Sequence, residues 1–170
     1  FVAIGVRGAG RAQRYGTWAR VADIETVVAP QMLAQSEPLA TRGGLAAFVA
    51  LAALQRDAAG PLHGFVWGPT GSAGFELATQ VPSVSASSDL DLLIRTPESL
   101  TRNHALALLN QLQTHAKNAG IRVDAQLDTP AGGVALAEWA ADKPRVMARH
   151  ASGPQLIADP WAVAHRDGLA

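Results

Sequence analysis

The sequence contains no cysteine. Disulfides, thiolate nucleophiles and thiolate metal ligands are therefore excluded, and a reducing compartment is compatible with the chain. Charge is scarce too: Asp, Glu, Lys and Arg make up 16% of residues, fourteen acidic against fourteen basic. That balance argues against generic nucleic-acid binding, which needs a basic excess to neutralise phosphates. Long apolar runs are also missing. The longest, residues 45–54, is too short for the roughly 30 Å core of a bilayer, and no signal peptide is visible. A soluble, cytoplasmic protein without membrane or nucleic-acid partners is expected. What the sequence holds in quantity is apolar side chains, 48% of its 170 residues, enough for a sizeable core in one domain of ordinary size. No internal repeat or low-complexity linker divides it.

The chemistry concentrates in residues 64–95. Gly-Pro-Thr-Gly-Ser (68–72) follows a short apolar strand at 65–67 and precedes a helical turn at 73–79. A loop rich in Ser, Val and Pro then leads into Ser-Asp-Leu-Asp-Leu-Leu-Ile (88–94). A strand points alternate side chains to opposite faces, so Asp89 and Asp91 share one face while Leu90, Leu92 and Ile94 pack on the other. Two carboxylates so placed, roughly 6–7 Å apart, repel by roughly 2–3 kcal/mol at an effective dielectric near 20. A divalent cation between them removes that cost, and magnesium bridging substrate phosphates suits oxygen ligands best. Gly71 and Ser72 supply the complement, backbone N–H groups and a hydroxyl at a helix start, where phosphate is favoured.

The remaining elements follow from periodicity and punctuation. Residues 1–6 alternate as a strand and run into Arg7, Arg11 and Arg14, a basic loop that reads either as solvated surface or as a phosphate clamp. Residues 21–28 read as another strand and 30–35 as a helical turn, and residues 1–40 as a small N-terminal subdomain before a main domain at 41–170. An apolar helix spans 45–56, with Leu45, Phe48, Leu51, Ala52 and Leu54 available to a core; Gly60-Pro61 stops it. Thr96-Pro97-Glu98 reads as a helix start, with Leu106, Leu109, Leu112 and Ala116 on its buried face and Gly120 as its C-cap. His104 and His115 are too far apart for a helical metal pair and read as surface groups. Residues 121–127 alternate strictly, which places Asp124 on a polar face with Arg122 and Gln126. Asp124 is the candidate third carboxylate, and Asp128 is its rival if the register slips by an even number. Gly132-Gly133 is expected to open a helix to about residue 141. A strand at 145–149 and a Gly153-Pro154 turn follow. Arg149 and His150 read as ordinary surface charge, and Asp159-Pro160-Trp161 as a terminal turn that packs an aromatic.

The Gly-Ser turn followed by Asp-Leu-Asp resembles the nucleotidyltransferase superfamily that includes DNA polymerase β. The wider wording is more specific. WGPTGSAGFELAT (67–79) and SDLDLL (88–93), together with GVRGAGRAQRYGTW (5–18), GGVALAEWA (132–140) and GPQLIADPW (153–161), look like the malonate decarboxylase holo-[acyl-carrier-protein] synthases, also called phosphoribosyl-dephospho-CoA transferases. The sequence has no initiator Met and lacks the leading segment that family carries before Gly-Val-Arg-Gly, so more chain is expected before Phe1. The resemblance implies an α/β (α+β) fold, a nucleotidyltransferase-like mixed sheet flanked by helices. It implies transfer from 2′-(5″-triphosphoribosyl)-3′-dephospho-CoA to a serine of the apo acyl carrier protein of malonate decarboxylase, with pyrophosphate leaving. Asp89 and Asp91 would hold Mg2+, Gly71, Ser72, Arg7, Arg11 and Arg14 would bind the donor, and Asp124 would ligate metal or accept the serine proton. Two alternatives stay open on the residues alone: a nucleoside-triphosphate donor with another hydroxyl acceptor, or a non-catalytic nucleotide- or carrier-protein-binding module.

Overall fold

The Asp-Leu-Asp stretch leads into the second strand of a six-stranded mixed sheet, in a computed structural model that describes residues 1–8 and 13–162. In chain order, a hairpin of β1 (Val2–Arg7) and β2 (Arg14–Ala19) is followed by 3-10 turns at Val21–Asp23 and Pro30–Leu33. Next come α1 (Ala46–Arg56), β3 (Val66–Pro69), α2 (Gly71–Thr79), β4 (Leu90–Arg95) and α3 (Arg102–Ala119). The chain then runs through β5 (Val123–Thr129), β6 (Gly132–Ala135), α4 (Leu136–Ala140), β7 (Val146–His150) and β8 (Gly153–Ile157). The sheet has the order β3-β4-β5-β6-β7-β8. Only β4 and β5 are parallel, joined by the α3 crossover; the other neighbours pair antiparallel.

Strand alternation decides which face meets the core. Leu90, Leu92 and Ile94 are at most 1% exposed, while Asp91, Leu93 and Arg95 are half-buried on the opposite face. Phe48, Leu51 and Leu54 of α1 and Ala105, Leu108, Leu112 and Ala116 of α3 complete the same core. Burying a Leu or Phe side chain contributes about 1.5–3 kcal/mol, so this helix-covered face is what fixes β4 and, through it, the aspartates. The Pro30–Leu33 turn packs on β3, where a Cβ at Gly68 would meet the Pro30 carbonyl oxygen at 1.8 Å. Glycine is needed there for close backbone approach. Among the described residues no helix is long and apolar enough to cross a membrane.

Four expectations need correcting. Residues 21–28 form no strand: a 3-10 turn and irregular chain replace it, with Val21 and Val27 exposed. Among the described residues no strand pairs with this stretch, and propensity alone does not hold a strand. The helix expected at Thr96 begins instead after Thr101, whose hydroxyl accepts from the His104 N–H at 3.2 Å. Thr96 is drawn into the β4–β5 ladder, where its N–H and hydroxyl both donate to the Asp128 carbonyl. The buried face of α3 turns accordingly to Ala105 and Leu108, leaving Leu106 46% exposed. Finally, Gly132-Gly133 opens a strand. Gly132 sits at φ +111°, and a Cβ there would meet the Arg149 carbonyl oxygen of β7 at 2.6 Å. Helix α4 is confined to five residues behind it.

The terminal turn packs as its sequence implies. The Trp161 N–H bonds the Asp159 carboxylate, its indole donates to the Thr96 carbonyl, and its ring meets Trp139 edge-on at 5.1 Å.

Candidate active site

Parallel pairing of β4 with β5 sets Asp91 directly opposite Asp124. Residues opposed in a ladder project to the same face, so the two carboxylates belong to one surface. Asp89 stands one residue before β4 at the same end of the sheet, and its side chain is 29% exposed. The helix α2 N-terminus is tied to this spot through its backbone: the Thr70 N–H donates to the Asp91 carbonyl at 2.9 Å. Thr70 makes no side-chain cap bond, and the first N–H groups of a helix have no intrahelical acceptor.

Gly71 opens α2 at φ +58°, and a Cβ built on it would lie 2.0 Å from Asp91 Oδ2. Any other residue would be strained by the left-handed backbone and would displace the carboxylate. Ser72 is half-buried in the first turn, and its carbonyl accepts from the Ser83 hydroxyl at 2.9 Å. The structure thus gathers Gly71, Ser72, Asp89, Asp91 and Asp124 at one end of β4 and β5.

The hairpin arginines are placed differently. Arg7 and Arg14 are cross-strand partners in a two-stranded sheet separate from the main one, and Arg14 is exposed. Arg11 lies outside the described residues. Asp128 sits four residues beyond Asp124, roughly 13 Å along the strand, opposite Arg95 and ion-paired with it. That end of the sheet opens into a cleft of about 820 Å3 walled by Phe65, Pro97, Leu100 and His104. Asp89, Asp91 and Asp124 do not line it.

Two features of the site carried little signal in the sequence. Arg122 Nη2 donates to Asp124 Oδ2 at 2.8 Å and lies 3.2 Å from Asp89 Oδ2. Its pKa is raised, first by the hydrogen bond to Asp124 and then by the charges of Asp124, Asp89 and Asp91. The second feature is Glu76, 1% exposed on α2. It accepts from Arg42 through both carboxylate oxygens and from the backbone N–H groups of Ser83 and Val84 at 2.7 and 2.8 Å. The Arg42 bond and these amides outweigh desolvation and hold the carboxyl at about 2, against an ordinary 4.5. Arg42 also donates to the Val84 carbonyl. The pair thereby pins the loop that runs from α2 to Asp89. A lone acid inside the apolar run Ala-Gly-Phe-Glu-Leu-Ala was the one hint in the sequence.

Among the described residues, no three His, Asp or Glu side chains converge so as to hold a metal ion by themselves. The donor set fits the other mode of magnesium binding, in which one or two carboxylates share the ion with substrate phosphates. Asp89 and Asp91 are the carboxylates that would share such an ion, at an edge of the sheet where the Arg122 guanidinium is already ion-paired with Asp89 and Asp124.

Known proteins share this sequence along nearly its whole length. The family described as phosphoribosyl-dephospho-CoA transferase MdcG C-terminal domain matches residues 32–160. A phosphoribosyl-dephospho-CoA transferase of Pseudomonas aeruginosa is 47% identical over 165 residues, 96% of this chain and 74% of that protein. Proteins of the same description from Azotobacter vinelandii and Klebsiella pneumoniae are 45% and 40% identical, over 95% and 98% of this chain and 74% and 76% of theirs. No solved structure matches. A transferase sequence shared along nearly the whole chain, with a Gly-Ser helix start set against paired aspartates, assigns it to one group: the chain belongs to the phosphoribosyl-dephospho-CoA transferase family.

Proposed function

We propose that this transferase moves the phosphoribosyl-dephospho-CoA group from 2′-(5″-triphosphoribosyl)-3′-dephospho-CoA to a serine of the apo acyl carrier protein of malonate decarboxylase. The observation that carries the reading is the register of Asp91 with Asp124, beside a glycine that admits the Asp91 carboxylate to the start of α2. In the reaction the serine oxygen bonds to the phosphorus attached to the ribose. The bond from that phosphorus to the bridging oxygen breaks, and pyrophosphate departs with the electron pair. Asp89 and Asp91 would hold magnesium, which when bound would neutralise charge on the phosphate oxygens. Gly71 and Ser72 take the donor phosphates at the helix start, and the hairpin arginines Arg7, Arg11 and Arg14 are retained as a proposed clamp on the donor, read from the sequence alone. Asp124 either joins the metal ligands or accepts the serine proton. Alignment and charge stabilisation suffice, with no covalent intermediate on the protein.

The test is mass spectrometry of apo carrier protein after incubation with the protein, Mg2+ and the triphosphoribosyl donor. The carrier should gain one phosphoribosyl-dephospho-CoA group on serine, with one pyrophosphate released per carrier. An unmodified carrier would refute the assignment, and so would equal modification by a nucleoside triphosphate.

The helix start gives a graded expectation. Ser72→Ala should fold normally and lose roughly tenfold in transfer rate, the scale of one hydrogen bond to a charged group. Gly71→Val should lose roughly a hundredfold or more, because it displaces Asp91 and forces a β-branched residue to positive φ. Similar, near-normal rates in both variants would remove this turn from the site.

A further inference from the structure

Arg122 occupies a position that the phosphate-transfer reading leaves unexplained. Its backbone is fixed, since the Leu90 N–H donates to its carbonyl at 3.0 Å in the first bond of the β4–β5 ladder. Its side chain is 72% exposed and reaches back over the acids, where the single nitrogen Nη2 serves both Asp89 and Asp124. A guanidinium seated on Asp89 Oδ2 takes up lone-pair space that a cation held by Asp89 also needs. The long, exposed side chain can leave that seat without disturbing the core. Asp124, on which the guanidinium sits, is the register partner of Asp91, and Asp91 abuts Gly71 at the helix start. A fork released from this seat is therefore set free at the edge to which the donor phosphates are assigned, and guanidinium forks match phosphate oxygens.

We propose that Arg122 exchanges partners during donor binding: it neutralises Asp89 and Asp124 in the donor-free protein, and turns to the donor's triphosphate when the cation takes its place. The proposal rests on the reading of Asp89 and Asp91 as the cation site. It assigns Arg122 two measurable properties, opposition to divalent-cation binding and support of triphosphate binding.

Both are read without turnover. Mn2+ binding to the free protein, followed by electron paramagnetic resonance, should be several-fold tighter in Arg122→Ala than in the unsubstituted protein. Calorimetric binding of tripolyphosphate in saturating Mg2+ should be weaker in Arg122→Ala by roughly tenfold or more, the range of a charge-assisted phosphate contact. Arg122→Lys should recover part of the triphosphate affinity, since it keeps the charge and loses the fork. Mn2+ affinity that is equal in the two proteins, weaker in the variant, or absent from both would overturn the exchange. Unchanged tripolyphosphate affinity would overturn it as well. Asp89→Asn is the control that separates the two readings. If it binds Mn2+ as the unsubstituted protein does, the cation-site assignment itself fails. If it loses Mn2+ while Arg122→Ala behaves normally, that assignment stands and the role of Arg122 falls.

Discussion

Asp91→Asn and Asp89→Asn should each slow transfer by at least roughly a hundredfold, the scale of losing one strong electrostatic stabiliser at a reacting phosphate. Asn keeps the size of Asp and one of its acceptor oxygens, so neither change opens a cavity. Asp91 is flanked by Leu90 and Leu92, both buried against the helices, and those contacts hold β4 in place whatever the charge at position 91. The melting temperature should therefore move by only a few degrees while the rate collapses. The two variants need not be equal. Asp91 lies inside the ladder, opposite Asp124 and against Gly71, whereas Asp89 sits just outside it beside Arg122. Loss of Asp91 should be the less recoverable by added Mg2+. Turnover close to normal in either variant, at saturating Mg2+, would sink the assignment of the pair.

The second large effect is on stability. Glu76→Gln should lower unfolding free energy at about pH 7 by about 3 kcal/mol, the equivalent of holding a carboxyl roughly two and a half units below its ordinary value. For a chain of this size that amounts to a fall of roughly 5–10 °C in Tm. The sign follows from the lowered pKa. Glu76 titrates at about 2 when folded and about 4.5 when unfolded, so its contribution is complete above 4.5 and is lost as pH falls toward 2. The gap in Tm between Glu76→Gln and the unsubstituted protein should thus be widest near neutrality and narrow at about pH 3. A gap that stays constant with pH, or is missing at neutrality, would show that the carboxylate charge does not hold the loop. Because that loop delivers Asp89, the variant should also lose activity at temperatures where it remains folded.

The parts of this molecule legible in its sequence are those decided by local pattern. Alternation over 88–94 and 121–127 separated acids from core residues on both strands, and the order of elements made those strands neighbours. Their register, Asp91 against Asp124, did not follow: matching polar faces leaves a slip of two or four residues open, which is why Asp128 stood as a rival. The start of α3 was ambiguous because Thr96 and Thr101 both offer a capping hydroxyl, and only the pairing of Thr96 with Asp128 removes the first from use. Gly132-Gly133 misled for a similar reason: a glycine that lets β7 approach closely looks, in sequence, like a glycine that borders a helix. The Glu76–Arg42 pair spans 34 positions, and no short-range pattern encodes such a contact. Arg122 was visible as a neighbour of Asp124 on the polar face. Its reach to Asp89 depends on the parallel packing of two strands, which periodicity does not specify.

The contact between Gly71 and Asp91 has a consequence for how this sequence can drift. With 2.0 Å between a Cβ at position 71 and the Asp91 carboxylate, the two positions are not free to vary independently. Shortening position 91 would relieve the clash with a side chain at 71 but not the strain of its positive φ, and a shorter residue at 91 has no acid to offer. Mutational paths that pass through position 71 first are closed by the clash, and paths through position 91 first cross a form without the carboxylate. Glycine at 71 is thus held twice, by its positive φ and by the acid at 91, and homologues in which both have changed are the ones to examine for lost transfer.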